Sequence, residues 1–560
     1  MTTTPRLLVI GLDGGTFDLL RPLMAQGHMP NLAELVDHGC WGPLASTIPP
    51  FTGAAWSTFI TGRNPGQHGV IAFTTRDRFN YDTQGQGFVN AQRFDYTLWE
   101  LLSTAGKRVG VVNVPLTYPA RPVNGFMVTG MLTPAGASRF TYPPEFAARI
   151  GPDYMIDVDF LRDGERFRLT GLPPKPEMLA QIRRMTQART AHGVRWLQEE
   201  AWEFFMLVYT STDRVSHFFW DEVPALLAGQ PSPNQAELLA FFHELDEGIG
   251  QLAAAAGPET NILFMSDHGF GPAPDRRFYV NVWLEQLGLL RPRPGEGLLD
   301  LDYWRIRLAR NKRLKAALRR ILPQSTQDAV QKTTSQAGGQ KEAFDWANTQ
   351  AFFVPIYFHV CGVEVNVQGE HRAGSVPAGA QYEAVRDQII AAAQQLRDPA
   401  TGRAIVTLAA RREALYDGPY VHDFPDVILV LEPEYIGAGS LAGSSLFEPH
   451  PDPMRPGEHR EDGIFIASGP RVVPRPGALP NLKLWDVTAT ILYALDVAIP
   501  AGLDGRVLTE LFDPAYLAAH PVRIDQATPM PTAPAAGGAL LSDHEEAELA
   551  ERLRSLGYLE

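Results

Sequence analysis

Four stretches of this sequence place carboxylates and imidazoles where they could hold metal ions. They are Asp13; Asp213 with His217; Asp267 with His268; and His459 within Gly457-Glu-His-Arg460. Singly, each has a plainer reading, because an Asp after a strand commonly caps a helix or turn and a His commonly makes a structural hydrogen bond. As a set, mixed carboxylate and imidazole groups suit Zn²⁺ or a similar borderline ion. A fifth stretch, Ile48-Pro-Pro-Phe-Thr-Gly-Ala-Ala-Trp-Ser-Thr-Phe-Ile-Thr-Gly62, supplies hydroxyls and is followed by Arg63-Asn-Pro-Gly-Gln-His-Gly69. Thr52 stands at a loop-to-helix start, where the helix field favours negative charge. A metal nearby favours its alkoxide and makes it a competent nucleophile. On local sequence alone the simpler reading is that Thr52 caps the helix carrying Ser57 and Thr58.

The elements that must position these groups are legible as three short apolar runs: Leu7 to Leu12, Phe204 to Tyr209, and Asn261 to Met265. Each leads into one of the acidic residues. Unbroken apolar runs of this length suit strands buried on both faces of a parallel sheet. Helical stretches between them, such as Met178 to Glu199 and Asn234 to Ala256, give the strand and helix alternation of a doubly wound α/β core. Ligands in such folds sit beyond the carboxyl ends of the strands, where these polar residues fall. The predicted division is a first core part over 1–275, an insertion or cap over 276–404, a second core part over 405–524, and a linker with a docking helix over 525–560. The strand-like run Asp426 to Leu431 is assigned to the core. The closing helix opens on the capping pattern Ser542-Asp-His-Glu545 and carries Leu549, Leu553 and Leu556 on one face.

Composition sets the outer limits. The 560 residues are 45% hydrophobic and 20% charged, the ordinary balance of a globular protein. With 49 basic and 63 acidic residues the formal charge is −14, which disfavours binding to nucleic-acid duplexes or acidic membranes by the protein as a whole. Cys40 and Cys361 lie far apart in apolar surroundings, the pattern of two buried thiols in a reducing compartment. No signal peptide or membrane-spanning run is found, so a cytoplasmic location is expected. Residues 303–322 combine eight basic side chains with an apolar stripe, a pattern that suits a solvated helical face or a peripheral membrane contact.

Taken together these motifs resemble the alkaline phosphatase superfamily, and within it the type I phosphodiesterase/nucleotide pyrophosphatase family, in its branch of phosphohydrolases and phosphomutases. Gly11-Leu-Asp-Gly-Gly15 is similar to the first metal motif. Thr52 stands as far before Thr61-Gly62 as the nucleophilic Thr does in the phosphodiesterase pattern. Thr212-Asp-Arg-Val-Ser-His217 resembles the D-x-x-x-H element, Ser266-Asp-His-Gly269 the D-H-G element, and His459 the last ligand. Val112-Asn-Val-Pro-Leu-Thr-Tyr-Pro119, Val363-Glu-Val-Asn-Val-Gln-Gly369 and Leu553-Arg-Ser-Leu-Gly-Tyr558 resemble stretches of the same branch. The resemblance implies an alkaline phosphatase-like α/β fold, a mostly parallel sheet flanked by helices. It also implies two divalent ions, commonly zinc, with manganese or magnesium as alternatives. Asp213, His217 and His459 would hold one; Asp13, Asp267, His268 and the Thr52 oxygen would hold the other. A small phosphate ester would be cleaved through a phospho-threonine intermediate.

The chain departs from the family pattern at two places. Ala55 stands where many nucleotide pyrophosphatases carry an Asn that donates to a phosphoryl oxygen, and Val365-Asn-Val-Gln-Gly-Glu370 lacks the arginine of the V-N-V-x-G-R stretch. Nucleotide substrates are therefore less expected than phosphoryl transfer itself. A phosphomonoesterase or phosphomutase, a phosphoryl-alcohol transferase, and a non-catalytic binding member are the competing readings. A sulfatase is strongly disfavoured by the absence of a modifiable Cys or Ser in a C-x-P-S-R setting.

Overall fold

The structure is a computed structural model, and it describes residues 5–82, 87–160, 172–293, 343–450, 455–526 and 541–556. The basic segment 303–322 lies outside them, as does most of the linker. The described residues form two compact units.

The larger unit comprises Met1–Phe73, Phe88–Pro272 and Met454–Glu560. It is built on a nine-stranded sheet. From edge to edge the strands are Leu482–Lys483, Gly39–Ala45, Asp462–Ser468, Thr260–Met265, Arg6–Leu12, Phe204–Tyr209, Val109–Val112, Gly125–Val128 and Thr141–Tyr142. The five strands from Thr260–Met265 to Gly125–Val128 run parallel. Antiparallel pairings flank them on both sides. The three apolar runs read from the sequence are thus adjacent strands, with Gly11 opposite both Val208 and Met265. Leu8, Val9, Ile10 and Phe204 to Tyr209 are fully buried, as strands covered on both faces must be. The helices Lys175–Glu199 and Gln235–Ala256 pack on one another. The second of these buries Leu238, Phe241, Phe242, Leu245, Ile249 and Leu252, the stripe of an amphipathic helix. The terminal helix Asp543–Ser555 has the expected reciprocal cap between Ser542 and Glu545, and its Leu549, Leu553 and Leu556 are buried.

The smaller unit comprises Thr74–Gly87 and Ala273–Pro453. Its four-stranded antiparallel sheet orders Ala351–Tyr357, Val360–Val365, Val427–Leu431 and Val406–Arg411. This corrects the assignment of Asp426 to Leu431 to the core sheet. An unbroken apolar run reports that a strand is buried, and says nothing of which sheet buries it; here Val427 to Val430 pair with Val363 to Val360. Glu364 is buried in this unit between Arg76, Arg78 and His371, at 2.8, 2.5 and 3.0 Å.

Burial raises the pKa of Glu364, but the Arg76 charge, the His371 hydrogen bond and the Arg78 charge more than reverse this and hold it well below its ordinary 4.5. A depressed carboxyl contributes stability that is present above the ordinary value and is lost as pH falls below it. Glu364→Gln is expected to cost about 3–5 kcal/mol at neutral pH, because two arginines keep their burial and lose their counter-charge. That difference should shrink progressively below pH 4.5. Urea unfolding of both proteins at neutral and acid pH measures it, and a difference that stays constant with pH would contradict the assignment.

Candidate active site

Three adjacent parallel strands deliver their polar ends to one place. Asp13 follows Arg6–Leu12, and its N–H donates to the Tyr209 carbonyl at 3.0 Å, extending the ladder by one residue. Asp213 lies in the first turn of the helix Ser211–Phe219, just after Phe204–Tyr209, and His217 lies one turn on along the same face. Asp267 and His268 follow Thr260–Met265. His459 enters on the strand Gly457–Arg460, opposite Phe270. Thr52 is the first residue of the helix Thr52–Thr61. All seven side chains are buried.

Thr52 does not cap its helix. The cap position is Phe51, and no side chain bonds the first turn's amides. The Thr52 hydroxyl lies 3.3 Å from His268 Nε2. The three histidines share one arrangement: Nδ1 of His217, His268 and His459 meets the carbonyls of Gly457, Gly269 and Pro50 at 3.0, 3.1 and 3.1 Å. A carbonyl only accepts, so Nδ1 of His268 and of His459 carries the proton and their Nε2 faces inward; at His217 the Arg455 guanidinium, itself only a donor, also lies 2.7 Å from Nδ1. The inward nitrogens meet carboxylates. His459 Nε2 is 3.2 Å and His217 Nε2 3.4 Å from Asp213 Oδ1, and 3.0 Å from one another. His268 Nε2 is 3.1 Å from Asp267 Oδ2 and 3.8 Å from Asp13 Oδ1. The His268 and His459 rings stack with centroids 3.5 Å apart and join the two groups.

The donor set fits divalent cations. Asp13 Oδ1 is buried and accepts no hydrogen bond, and Asp267 Oδ2 is buried facing the His268 imidazole at 3.1 Å, an arrangement costly unless a cation takes the remaining lone pairs. Donor atoms of Asp13, Asp267 and His268 lie within 4.8 Å of one another, as do those of Asp213, His268 and His459, and those of His217, Glu458 and His459. The protonation equilibria carry the mark of this crowding. Burial, then the charges of Asp267 and Asp213, raise Asp13 well above the usual carboxylate range. Burial lowers His268, but Asp267 foremost, then Asp13 and Asp213, carry it up to about 9. Burial and the neighbouring Arg455 lower His217, and burial with His268 lowers His459.

Several contributors escaped the sequence reading. Trp56 Nε1 donates to Asp13 Oδ2 at 3.0 Å; its place four residues after Thr52, on the same helix face, was an available signal. The Gly14 N–H donates to Asp267 Oδ1 at 3.1 Å from a left-handed turn (φ 66°) packed against the Phe270 ring, where a Cβ has no room. Arg214 binds Asp213 and Asp157. Glu458 and Arg455 lie beside His459 and His217, and Arg455 Nη2 is 2.7 and 2.9 Å from the two ring nitrogens of His217. Glu458 was visible as the neighbour of His459, whereas nothing local marks Asp157. Ala55 is fully buried and offers no donor.

Known proteins resemble this chain in sequence and in fold. The family model for type I phosphodiesterase/nucleotide pyrophosphatase matches residues 7–444. That range includes every site residue named above from Asp13 to His268 and ends before His459, which the fold itself brings in. An uncharacterized pyrophosphatase/phosphodiesterase of Schizosaccharomyces pombe is 23% identical over 296 residues, 50% of this chain and 47% of that protein. The match thus spans about half the length of the curated relative. Phosphonoacetate hydrolase from Sinorhizobium meliloti, solved with phosphonoacetate, shares the fold, with a TM-score of 0.50 at 16% identity over 88% of this chain and 95% of that one. Murine ectonucleotide pyrophosphatase/phosphodiesterase 5 aligns with a TM-score of 0.48 at 13% identity, over 91% of this chain and 100% of that one.

A Cβ on Gly11 would lie 2.8 Å from the Trp56 ring and 2.9 Å from Val208 Cγ2. Gly11→Ala must therefore displace the indole that holds Asp13, at an expected cost of about 1–3 kcal/mol. Denaturant unfolding reads this directly; wild-type stability would show that the ring has room to move.

Proposed function

Because the chain belongs to the type I phosphodiesterase/nucleotide pyrophosphatase family, we propose that it hydrolyses phosphoester bonds of small substrates at a two-metal site, with Thr52 as nucleophile. One observation carries the reading: three histidines are fixed through Nδ1 with Nε2 turned onto buried carboxylates, and the Thr52 hydroxyl lies 3.3 Å from one of those nitrogens. Asp213, His217 and His459 would hold one divalent ion, and Asp13, Asp267, His268 and the Thr52 oxygen the other, zinc being the ion that this donor set suits best. When bound, the pair supplies positive charge that favours the Thr52 alkoxide and stabilises the phosphoryl oxygens and the leaving group.

The residues then divide the work. Thr52 loses its proton and attacks phosphorus; the Thr–O–P bond forms as the ester P–O bond breaks, and the departing oxygen leaves as an alcohol once protonated. Water then attacks the phospho-threonine, which releases the phosphoryl product and restores the hydroxyl. The helix Thr52–Thr61 presents its first residue, so the attacking oxygen sits at the positive end of that helix's field. Trp56 and the Gly14 N–H fix Asp13 and Asp267, so the other oxygen of each carboxylate keeps a single direction. Ala55 contributes no donor to a phosphoryl oxygen, which favours substrates held by charge over those needing a side-chain amide.

The test is a panel of aryl monoesters, aryl diesters and nucleotide diesters, run on wild type and on Thr52→Ala with bound metal measured. Diester cleavage is expected to fall by roughly 10⁴-fold or more in the variant, with about two ions per chain retained. Undiminished cleavage by Thr52→Ala would sink the mechanism.

A further inference from the structure

Asp213 presents one oxygen to the histidines and gives the other to its neighbour in sequence. Oδ1 faces His217 and His459, while Oδ2 accepts from Arg214 Nη1. Arg214 is among the largest fully buried side chains of the chain. Its guanidinium is gripped on the far side by Asp157, which accepts from Nη2 at 2.6 Å and from Nε at 3.3 Å. A planar fork held at two edges has one orientation, and so has the carboxylate it binds. Asp157 is fixed in turn, because the carbonyl before it, that of Ile156, accepts from Asn113 Nδ2 and Arg189 Nη2, each at 2.6 Å.

The end of the chain reaches this clamp. Arg214 Nη2 rests 3.6 Å from Met131 Sδ. Two residues on, the Thr133 carbonyl accepts from Arg552 Nη2 at 2.8 Å. Arg552 stands in the last turn of the terminal helix, which is seated by Leu549, Leu553 and Leu556. Burial draws the Arg552 pKa down, opposed by the charges of Asp157 and Asp159, so the guanidinium shares a field with the acids around Arg214.

We propose that the terminal helix is a working part of the metal centre: Arg552, through the Met131–Thr133 turn against Arg214, and Asp157, from the other side, hold Arg214 so that Asp213 keeps its ligating orientation. Arg214, Asp157 and Arg552 are positioning residues. The inference rests on the reading of Asp213 as a metal ligand.

Cobalt(II) is the probe, bound to the full chain and followed by its d–d absorption and by chelator competition, with Asp213→Asn as reference. Asp213→Asn is expected to weaken one ion and leave the other. Arg214→Lys, which keeps the charge and loses the fork, should weaken the same ion by roughly 10- to 100-fold and change its absorption, the range typical of residues that orient a ligand. Arg552→Met should weaken it by about tenfold. Arg552→Lys should restore it, since one N–H suffices for the Thr133 carbonyl, whereas Lys does not rescue position 214. If Asp213→Asn weakens one ion while Arg214→Lys and Arg552→Met keep wild-type affinities and spectra, the proposal is overturned and the ligand reading stands. A lowered unfolding temperature with unchanged cobalt binding overturns it equally. If Asp213→Asn leaves both ions unchanged, the ligand reading itself fails, and the proposal with it.

Discussion

Asp13, Asp213 and Asp267 sit out of water at the ends of three adjacent strands, and like charges so close repel strongly where little solvent screens them. Much of the surrounding architecture answers that repulsion. Asp213 is divided between Arg214 and two imidazoles; Asp13 takes the Trp56 N–H; Asp267 takes the Gly14 amide. These contacts leave an excess of negative charge, which helps burial to raise the Asp13 carboxyl well above the usual range and carries His268 up to about 9. A cluster of this kind lowers the stability of the fold wherever no cation neutralises it.

The histidines show how such a site is kept ready. Each imidazole is anchored by a backbone carbonyl from an element other than its own or from the adjoining residue, Gly457 for His217, Pro50 for His459 and Gly269 for His268. Anchors on the main chain move only if the strands move, so ring orientation becomes a property of the sheet. The smaller unit meets a similar electrostatic demand by other means. Glu364 is neutralised wholly by side chains of the protein, Arg76 and Arg78 among them, which bind the short segment Thr74–Gly87 into that unit.

Most of the larger unit was legible in the sequence. The three central strands announced themselves because a strand covered on both faces must be apolar throughout, and each ended in a group that belongs in water or on a cation. The helix stripes and the terminal cap were equally plain, being local patterns. What escaped notice was non-local. Asp157 looks like any loop carboxylate until Arg214 is seen against it. The run Val427–Leu431 has the composition of a core strand and pairs in the other unit, because apolar periodicity carries no address. Thr52 is not the cap that its local sequence favours, because the cap position falls one residue earlier, on Phe51.

The contact between the Gly14 amide and Asp267 bridges 253 positions, and the Nδ1 anchor of His459 on the Pro50 carbonyl bridges 409. No stretch of the chain shorter than the span from Asp13 to His459 contains the whole constellation. During synthesis the first strand emerges carrying Asp13 long before Asp213, Asp267 and His459 exist. Long-range closure of this sort is slow. The candidate site is therefore complete only once the whole span from Asp13 to His459 has been made and its distant strands have closed on one another.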